Sequence, residues 1–401
     1  MGHKIMDGFP SRAQALQDFF EAWEPKLETE LVPIEEACGR VLAEDVSAVV
    51  TVPLVRASKC DGIAVKSAAF ANGMPDTSTW QLGVDYVRAD TGDDYPDEFD
   101  AVIMIEKAAI QPDGSVVLDD DVKVEPGTNT SPAGATVKAG TPILSAGYPI
   151  RPTDLAALCM GGISTVLVRK RPVVAFIPTG SELVAPGMRP QRGQTIDCNS
   201  LMCKHMLESY GAQVIKFPLV RDDLKSLTEA FNRALEVADL VVINGGSALG
   251  DEDFNVRLIG ERGTVVHHYI AAAPGRPLMM AVADGKPVVD LPGPPMAAFY
   301  GTDWCLQAIV SRMLGIPMPK RQIVRAKAGA SYHSFGGFDI LGRWNVSREN
   351  DELVARPFNF HGGEQVQCLT SNAYRVSPIG ESSIEEGDEI EVELLRGTEW
   401  L

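Results

Sequence analysis

Between residues 171 and 318, short apolar runs of buried-strand character alternate with helical segments, and this constrains the fold more than anything else in the chain. Val173-Val-Ala-Phe-Ile177, Ala212 to Leu219, Leu240-Val-Val-Ile243 and Pro287-Val-Val-Asp-Leu291 read as strands. Between or after them, Asn199 to Tyr210 (stopped by Gly211), Asp222 to Val237 with an acidic first turn, and Pro295 to about Leu314 read as helices. Strands joined through helices by short loops pair in parallel with right-handed crossovers, which predicts a three-layer α/β domain.

The flanking segments follow other rules. Ser11 to Trp23 has amphipathic helical spacing with Ser11 as N-cap, and Pro33 is expected to open a second helix over Ile34 to Leu42. From Asp45 to about Ile143 short β-rich runs prevail, among them 101–105, 115–118 and 122–124, separated by turns such as Pro112-Asp-Gly114 and Glu125-Pro-Gly127. Pro152 to Met160 is helical again, with Gly161-Gly162 as its stop. Beyond Pro319 the pattern is strands alone (322–328, 338–346, 353–356, 374–377 and 388–395), as in a small barrel or sandwich. The expected organisation is a helical and linker part (1–45 and 144–170), an inserted β-rich domain (46–143), the α/β domain (171–318) and a C-terminal β-barrel (319–401).

Three glycine-rich turns each follow a strand of the α/β segment: Pro178-Thr-Gly-Ser-Glu-Leu183, Asn244-Gly-Gly-Ser-Ala-Leu-Gly-Asp-Glu-Asp253 and Leu291-Pro-Gly-Pro-Pro295. In a parallel sheet they lie along one edge, where open α/β sheets bind ligands. Gly245, Gly246 and Gly250 would let backbone N–H groups approach an anion, aided by the next helix start. Tight turning alone explains any one of them; three on one edge point to a site. Glu182, Asp251 and Asp253 beside such a cradle repel phosphate unless a cation such as magnesium bridges them. The alternative for Asp251 and Asp253 is that they favour the N-terminus of the following helix.

Composition removes several function classes. The formal net charge of −18 lacks the basic footprint that nucleic-acid binding needs. No eighteen-residue apolar run offers a membrane span, and Met1-Gly-His-Lys4 lacks a signal-peptide core. Seven cysteines without a Cys-x-x-Cys pair fit a reducing, cytoplasmic compartment rather than a zinc site or disulfide framework. No P-loop, strand-linked Gly-x-Gly-x-x-Gly or Gly-x-Ser-x-Gly is present.

In order and spacing, the three turns together with Pro274-Gly-Arg-Pro277 resemble the molybdopterin molybdenumtransferase family (MoeA and the gephyrin E domain). Upstream, Ser58-Lys-Cys-Asp-Gly-Ile-Ala-Val65 resembles the family's Ser-x-x-Asp-Gly-Tyr-Ala motif, and Phe99 to Glu106 its Ala-Asp-Ala-Val-Val-x-x-Glu strand. The resemblance implies a MoaB/MogA-like α/β domain, an elongated homodimer with a cleft shared between subunits, and action on adenylylated molybdopterin. Molybdate would be inserted with release of AMP, and Mg2+ would sit on the pyrophosphate. It further implies catalytic roles for Asp61, Glu182, Asp222 and Asp253, with Asp251 and Asp253 as metal ligands. Thr179, Gly180, Ser181, Gly245, Gly246, Ser247, Gly250, Arg276, Pro292 and Gly293 would bind substrate, and other cofactor-biosynthesis proteins or apo-molybdoenzymes would be partners. For Asp222 an ordinary helix-capping role is the alternative, and for Arg276 a solvated surface charge.

The chain also departs from the family pattern. Ser131 and Ala135 fall where basic residues and an aspartate are expected, and Tyr269 and Ala273 fall where two lysines are expected. An oxyanion site needs charge-assisted donors. The rival expectation is therefore a catalytically weakened MoeA-like protein that binds or carries a pterin or nucleotide. A pyrophosphatase of related fold would leave the Asp61 motif unexplained.

Overall fold

The computed structural model describes residues 8–245, 254–333, 337–358, 364–381 and 383–401. The chain forms two compact units, one of residues 29–169 and one of residues 1–28 with 170–401.

In the larger unit, helix α1 (Arg12–Ala22) starts at Ser11, whose hydroxyl accepts from the Gln14 N–H, and it buries Ala15 and Phe19. The α/β domain then runs β1 (Val173–Pro178), α2 (Asn199–Ser209), β2 (Gln213–Lys216), α3 (Leu224–Val237), β3 (Leu240–Asn244), α4 (Phe254–Gly260), β4 (Gly263–His267), β5 (Met279–Ala283) and β6 (Lys286–Leu291). These strands form one six-stranded sheet in the order β2-β1-β3-β6-β5-β4. β1, β2, β3 and β6 are parallel, as alternation requires, with Pro178 opposite Asn244 and Asn244 opposite Leu291. The chain turns from β2 back across β1 to β3, so the sheet reverses direction between β1 and β3, and the turn after β6 lies beside them.

The sheet is not wholly parallel, as alternation alone would make it. β4 and β5 run antiparallel as a meander into β6. Between β5 and β6 the cause is Asp284-Gly285, both at positive φ, the dipeptide of a tight hairpin turn between two apolar runs. Other expectations need correction. Ile34 to Leu42 is no helix: Thr29–Pro33 is a strand paired with Thr165–Arg169, and only Ile34–Glu36 coils, as one 3-10 turn. Proline at its end closes that strand as readily as it would open a helix. Residues 122–124 form no strand either; Val122 and Val124 pack on the core of the β-rich part without ladder partners.

The helix expected from Pro295 is present in three pieces: α5 (Pro295–Tyr300), a π turn (Gly301–Leu306) and α6 (Gln307–Leu314), which Gly315 ends in the left-handed region. In the π turn Thr302 donates its hydroxyl proton back to the Ala298 carbonyl, 2.8 Å away, and Asp303 is almost fully buried. Arg321 grips Asp303 with both terminal guanidinium nitrogens. Past Arg321 lie β7 (Ile323–Ala328), β8 (Asp339–Glu349), β9 (Glu352–Pro357), β10 (Ala373–Ser377) and β11 (Glu389–Leu394). They close in the order β8-β9-β7-β11-β10 and back to β8, a five-stranded barrel filled by Trp344, Val346, Ala355 and Val392.

In the smaller unit Gly62–Val65 is the central strand between Tyr86–Ala89 and Ala101–Met104. Its close backbone contact explains Gly62, where a Cβ would fall 2.0 Å from the Ile103 carbonyl oxygen.

The Asp303–Arg321 pair joins the long helix to the first barrel strand. Asp303→Ala would leave the partly solvated Arg321 guanidinium with only Glu393, 3.7 Å away, and the Tyr374 ring, and should cost about 3 kcal/mol, the lower end for a broken buried pair. Urea unfolding followed by tryptophan fluorescence measures it; a loss well below that would mean water replaces the carboxylate.

Candidate functional site

The parallel register brings the ends of β1, β3 and β6 to one level, and a cavity of about 400 Å3 opens there. Its walls are Thr179, Gly180 and Glu182 after β1, Asn244 and Gly245 after β3, Gly293 to Pro295 after β6, Asp222 before α3, and Thr195 to Asn199 leading into α2.

Buried carboxamides hold the turns. Asn244, 3% exposed, donates both N–H groups, to the carbonyls of Leu291 (3.2 Å) and Pro292 (3.0 Å). Its side-chain oxygen accepts from Asn199 Nδ2 at 3.0 Å, and Asn199 also donates to the Gly293 carbonyl at 2.7 Å. Thr179 N–H bonds the Asn244 carbonyl at 2.9 Å, and Gly245 N–H the Leu291 carbonyl at 3.0 Å. Behind them Asn255 donates to the carbonyl of Gly245 (3.2 Å) and to Asp290 (2.8 Å). Buried amides that find partners hold geometry firmly, because losing a partner leaves a desolvated polar group.

Gly245 has φ +110°, and a Cβ there would lie 2.6 Å from the Thr179 carbonyl oxygen. Gly180, at φ +149°, is backed by the Glu182 carboxylate. At Gly293 a Cβ would meet nothing within 4 Å. Asp222 is not a helix cap. Asp223 caps α3, accepting from Ser226 N–H at 2.8 Å, which leaves Asp222 at the cavity, where its carboxylate accepts the Ser181 N–H at 3.3 Å. Asp197, buried, caps the start of α2 through Ser200 N–H at 3.0 Å. Partial desolvation by its neighbours pushes the thiol of Cys198, an otherwise exposed residue, above its usual pKa. Glu182, Asp197 and Asp222 thus face a cavity with no lysine or arginine among its described walls. An anion held here needs backbone N–H groups and a bridging cation.

Of the residues expected from sequence, Thr179, Gly180, Glu182, Asp222, Gly245 and Gly293 meet at this cavity. Ser181 adjoins it through Asp222, and Pro292 lies buried behind it, its carbonyl on Asn244. Arg276, in the turn that follows the cis Ala273–Pro274 bond, is half-buried and is not among the cavity walls. Asp61 belongs to the smaller unit. There its exposed carboxylate accepts from the backbone N–H and hydroxyl of Thr91 (2.7 and 2.9 Å), which hold its pKa below the usual range. Gly246, Ser247, Gly250, Asp251 and Asp253 lie outside the described residues. Among the described residues no three His, Cys, Asp or Glu side chains group as a metal site. Sequence reasoning misses Asn199, Asn244, Asp197 and Thr195; the run Asp197-Cys-Asn199 just before a helix is the available signal.

An open α/β sheet with a cavity at its point of reversal, followed by a small closed barrel and accompanied by a β-rich unit, defines a multidomain α/β protein of ligand-binding type. Residues 11–162 match the MoeA N-terminal region (domain I and II), and residues 175–312 match a probable molybdopterin binding domain. A molybdopterin molybdenumtransferase of Haemophilus influenzae is 28% identical over 383 residues, covering 91% of this chain and 94% of that protein. One of Bacillus subtilis is 28% identical over 395 residues, covering 93% and 92%. The crystal structure of a MoeA molybdopterin biosynthesis protein from Pyrococcus horikoshii superposes with a TM-score of 0.79 at 28% identity, covering 97% of this chain and all of that one. With both matched segments and these relatives spanning nearly its whole length, the chain belongs to the MoeA family of molybdopterin molybdenumtransferases.

Gly245→Ala forces a side chain into the left-handed region against a carbonyl, a strain of about 1–2 kcal/mol. It should lower the melting temperature and weaken magnesium–ADP binding, whereas Gly293→Ala should leave the melting temperature unchanged. Differential scanning calorimetry that shows equal effects would rule out close backbone approach as the reason for glycine at 245.

Proposed function

We infer that this enzyme works in molybdenum-cofactor biosynthesis, acting on adenylylated molybdopterin, inserting molybdate and releasing AMP. The observation that carries the reading is the alignment of the Gly180, Gly245 and Gly293 turns around one polar cavity in a chain of the MoeA family. The turns would present backbone N–H groups to the phosphates. Glu182 and Asp222, facing the same space, fit a hard cation that takes one or two carboxylates plus phosphate oxygens. Bound magnesium would supply the positive charge those carboxylates otherwise deny to a pyrophosphate. Asp251 and Asp253 are the further acidic groups proposed for it. The chain's own task is to align the anhydride, screen it from bulk water and orient the water that cleaves it. Asp61, kept ionised by Thr91, is proposed for the metal-insertion end of the site. We propose a homodimer in the cytoplasm, serving apo-molybdoenzymes or other cofactor-biosynthesis proteins. The family resemblance and seven free cysteines support this. No helix among the described residues is long and apolar enough to cross a membrane.

One observation favours weak insertion. Tyr269, where the family resemblance expects a lysine, packs at a tilt against Phe9 at 5.3 Å and His268 at 4.3 Å between ring centres, so a ring cluster occupies that place. Ser131, Ala135 and Ala273 carry no charge either. The pterin would then be held while molybdate is poorly retained.

Three outcomes are expected. Calorimetry should find magnesium–ADP bound at least about tenfold more tightly than ADP alone, a difference of about 1.4 kcal/mol, with Asp222→Ala and Asp253→Ala reducing that gap. Equal affinities would remove the bridging cation. Light scattering should report a dimer at micromolar concentration; a stable monomer contradicts the shared-cleft reading. In a reconstituted assay from adenylylated pterin, insertion at low micromolar molybdate should be slower than by a relative with all the basic positions. Comparable rates would show that other groups, such as Arg56, Lys59 or Arg88, hold the oxyanion.

A further inference from the structure

Strand β6 ends on a buried charge. Pro287-Val-Val-Asp-Leu291 is buried throughout, and within it Asp290 has no exposed surface. Central strands of a sheet covered on both faces are ordinarily continuous apolar runs. Ile243 and Met279, opposite Asp290 in the two adjoining ladders, are fully buried in the apolar core that α3 and α4 cover. A carboxylate is costly in such a place unless hydrogen bonds offset its desolvation. Asp290 Oδ2 accepts from Asn255 Nδ2 at 2.8 Å. Asn255, in the first turn of α4 and 1% exposed, donates from the same nitrogen to the Gly245 carbonyl at 3.2 Å. Stability alone does not call for the pair, because exchanging buried polar partners for apolar side chains of similar size is often neutral or stabilising.

What the pair fixes is the direction of one peptide unit. Gly245 has φ +110°, and a glycine backbone turns more freely than any other. β6 restrains it from both sides. The Gly245 N–H donates to the Leu291 carbonyl at 3.0 Å, and the Gly245 carbonyl is held by Asn255, itself anchored on the residue before Leu291. A trans peptide is planar, so its C=O and N–H point in opposite directions. Turning the Gly245 carbonyl toward Asn255 therefore turns the N–H of the same peptide unit away from Asn255. Gly245 lines the cavity, whereas Asn255 and Asp290 lie outside its walls.

We propose that Asn255, anchored by Asp290, is a positioning residue for the anion: it aims the peptide N–H after Gly245 into the cavity, as a preformed donor to the ligand's phosphate. The inference rests on the cavity being the phosphate site. Neither side chain touches the ligand. Donors fixed before a charge arrives need no reorganisation when it binds, which is why preorganised backbone dipoles hold anions well. Releasing the grip should weaken phosphate binding by about tenfold, on the order of one hydrogen bond.

The test measures magnesium–ADP affinity by titration calorimetry, and melting temperature by scanning calorimetry, on the full chain. Asn255→Leu with Asp290→Leu removes both partners together; it should keep the melting temperature and bind about tenfold more weakly. Asn255→Asp with Asp290→Asn keeps an amide against a carboxylate but offers the Gly245 carbonyl no donor, so it should lose affinity to the same extent. Asp290→Asn alone is the conservative rescue, since an acceptor for Asn255 remains, and its affinity should lie within about threefold of the wild type. A folded double variant that binds as tightly as the wild type overturns the proposal and leaves the cavity reading standing. So does Asp290→Asn binding as weakly as the doubles, which would assign the effect to the buried charge. Failure of both doubles to fold overturns it too, because the pair would then be structural. A wild type that binds no magnesium–ADP overturns the cavity reading, and the proposal with it.

Discussion

The site depends on one buried carboxamide. Asn244 ends the central parallel strand, and its side chain reaches across to the carbonyls of Leu291 and Pro292 while its oxygen takes the proton of Asn199. Two N–H donors and an acceptor are thereby satisfied away from water, in a place where an unsatisfied amide would cost about 1–3 kcal/mol. The consequence is geometric. Strand register alone sets the heights of the β1, β3 and β6 ends, but the turns beyond them are outside the ladder and would be free to splay. The Asn199–Asn244 pair ties α2 to the two turns on its far side, so the cavity has walls that do not depend on a ligand being present.

This arrangement uses neutral groups where charges would have served as well, and the overall balance of charge gives a reason. At −18 the chain opposes an approaching anion at long range, and Glu182, Asp197 and Asp222 oppose it nearby. Cationic side chains used as struts would be drawn into pairs with those carboxylates. Asp197 is already engaged, by the Ser200 N–H and by Lys216 at 3.9 Å, but amides do not compete for Glu182 and Asp222, which remain available for the cation proposed there. Asp222 and Asp223 show the same division between adjacent residues. Asp223 meets the N–H of Ser226 and secures the helix start, and Asp222 is left facing the cavity.

The layered α/β architecture is legible in the sequence because apolar runs and helical spacing change period abruptly at glycine, and because each turn follows a strand. The barrel is legible for a simpler reason: after Pro319 only period-two segments remain. The β5–β6 hairpin is legible only in Asp284-Gly285 between two apolar runs, a local signal that reading the segment by strand–helix alternation passes over. Residues 34–42 mislead because proline marks the first turn of a helix and the end of a strand alike, and only the distant partner Thr165–Arg169 decides between them. The same holds for the site. Glycines and carboxylates stand out locally, so Gly180, Gly245, Glu182 and Asp222 can be named from sequence. Asn199 is 45 residues from Asn244 and 94 from Gly293, and its role exists only once the strands are in register.

The helix after β6 links the cavity to the barrel. Its first turn, at Pro295, lines the cavity, and its interior widens into a π turn where Thr302 bonds back to Ala298. A π turn places one extra residue per coil and so rotates the downstream residues by more than a single side chain's breadth. In this helix Asp303, inside the π turn, meets Arg321 at the entry to β7, and one turn upstream the aromatic faces of Phe299 and Tyr300 meet Arg343 of β8, whose guanidinium carbon lies 3.9 Å from the Phe299 ring centre. The barrel is therefore locked to the same helix that forms the wall beside Gly293, through one buried ion pair and one cation–aromatic stack. A displacement of that wall on ligand binding would have to move or break them.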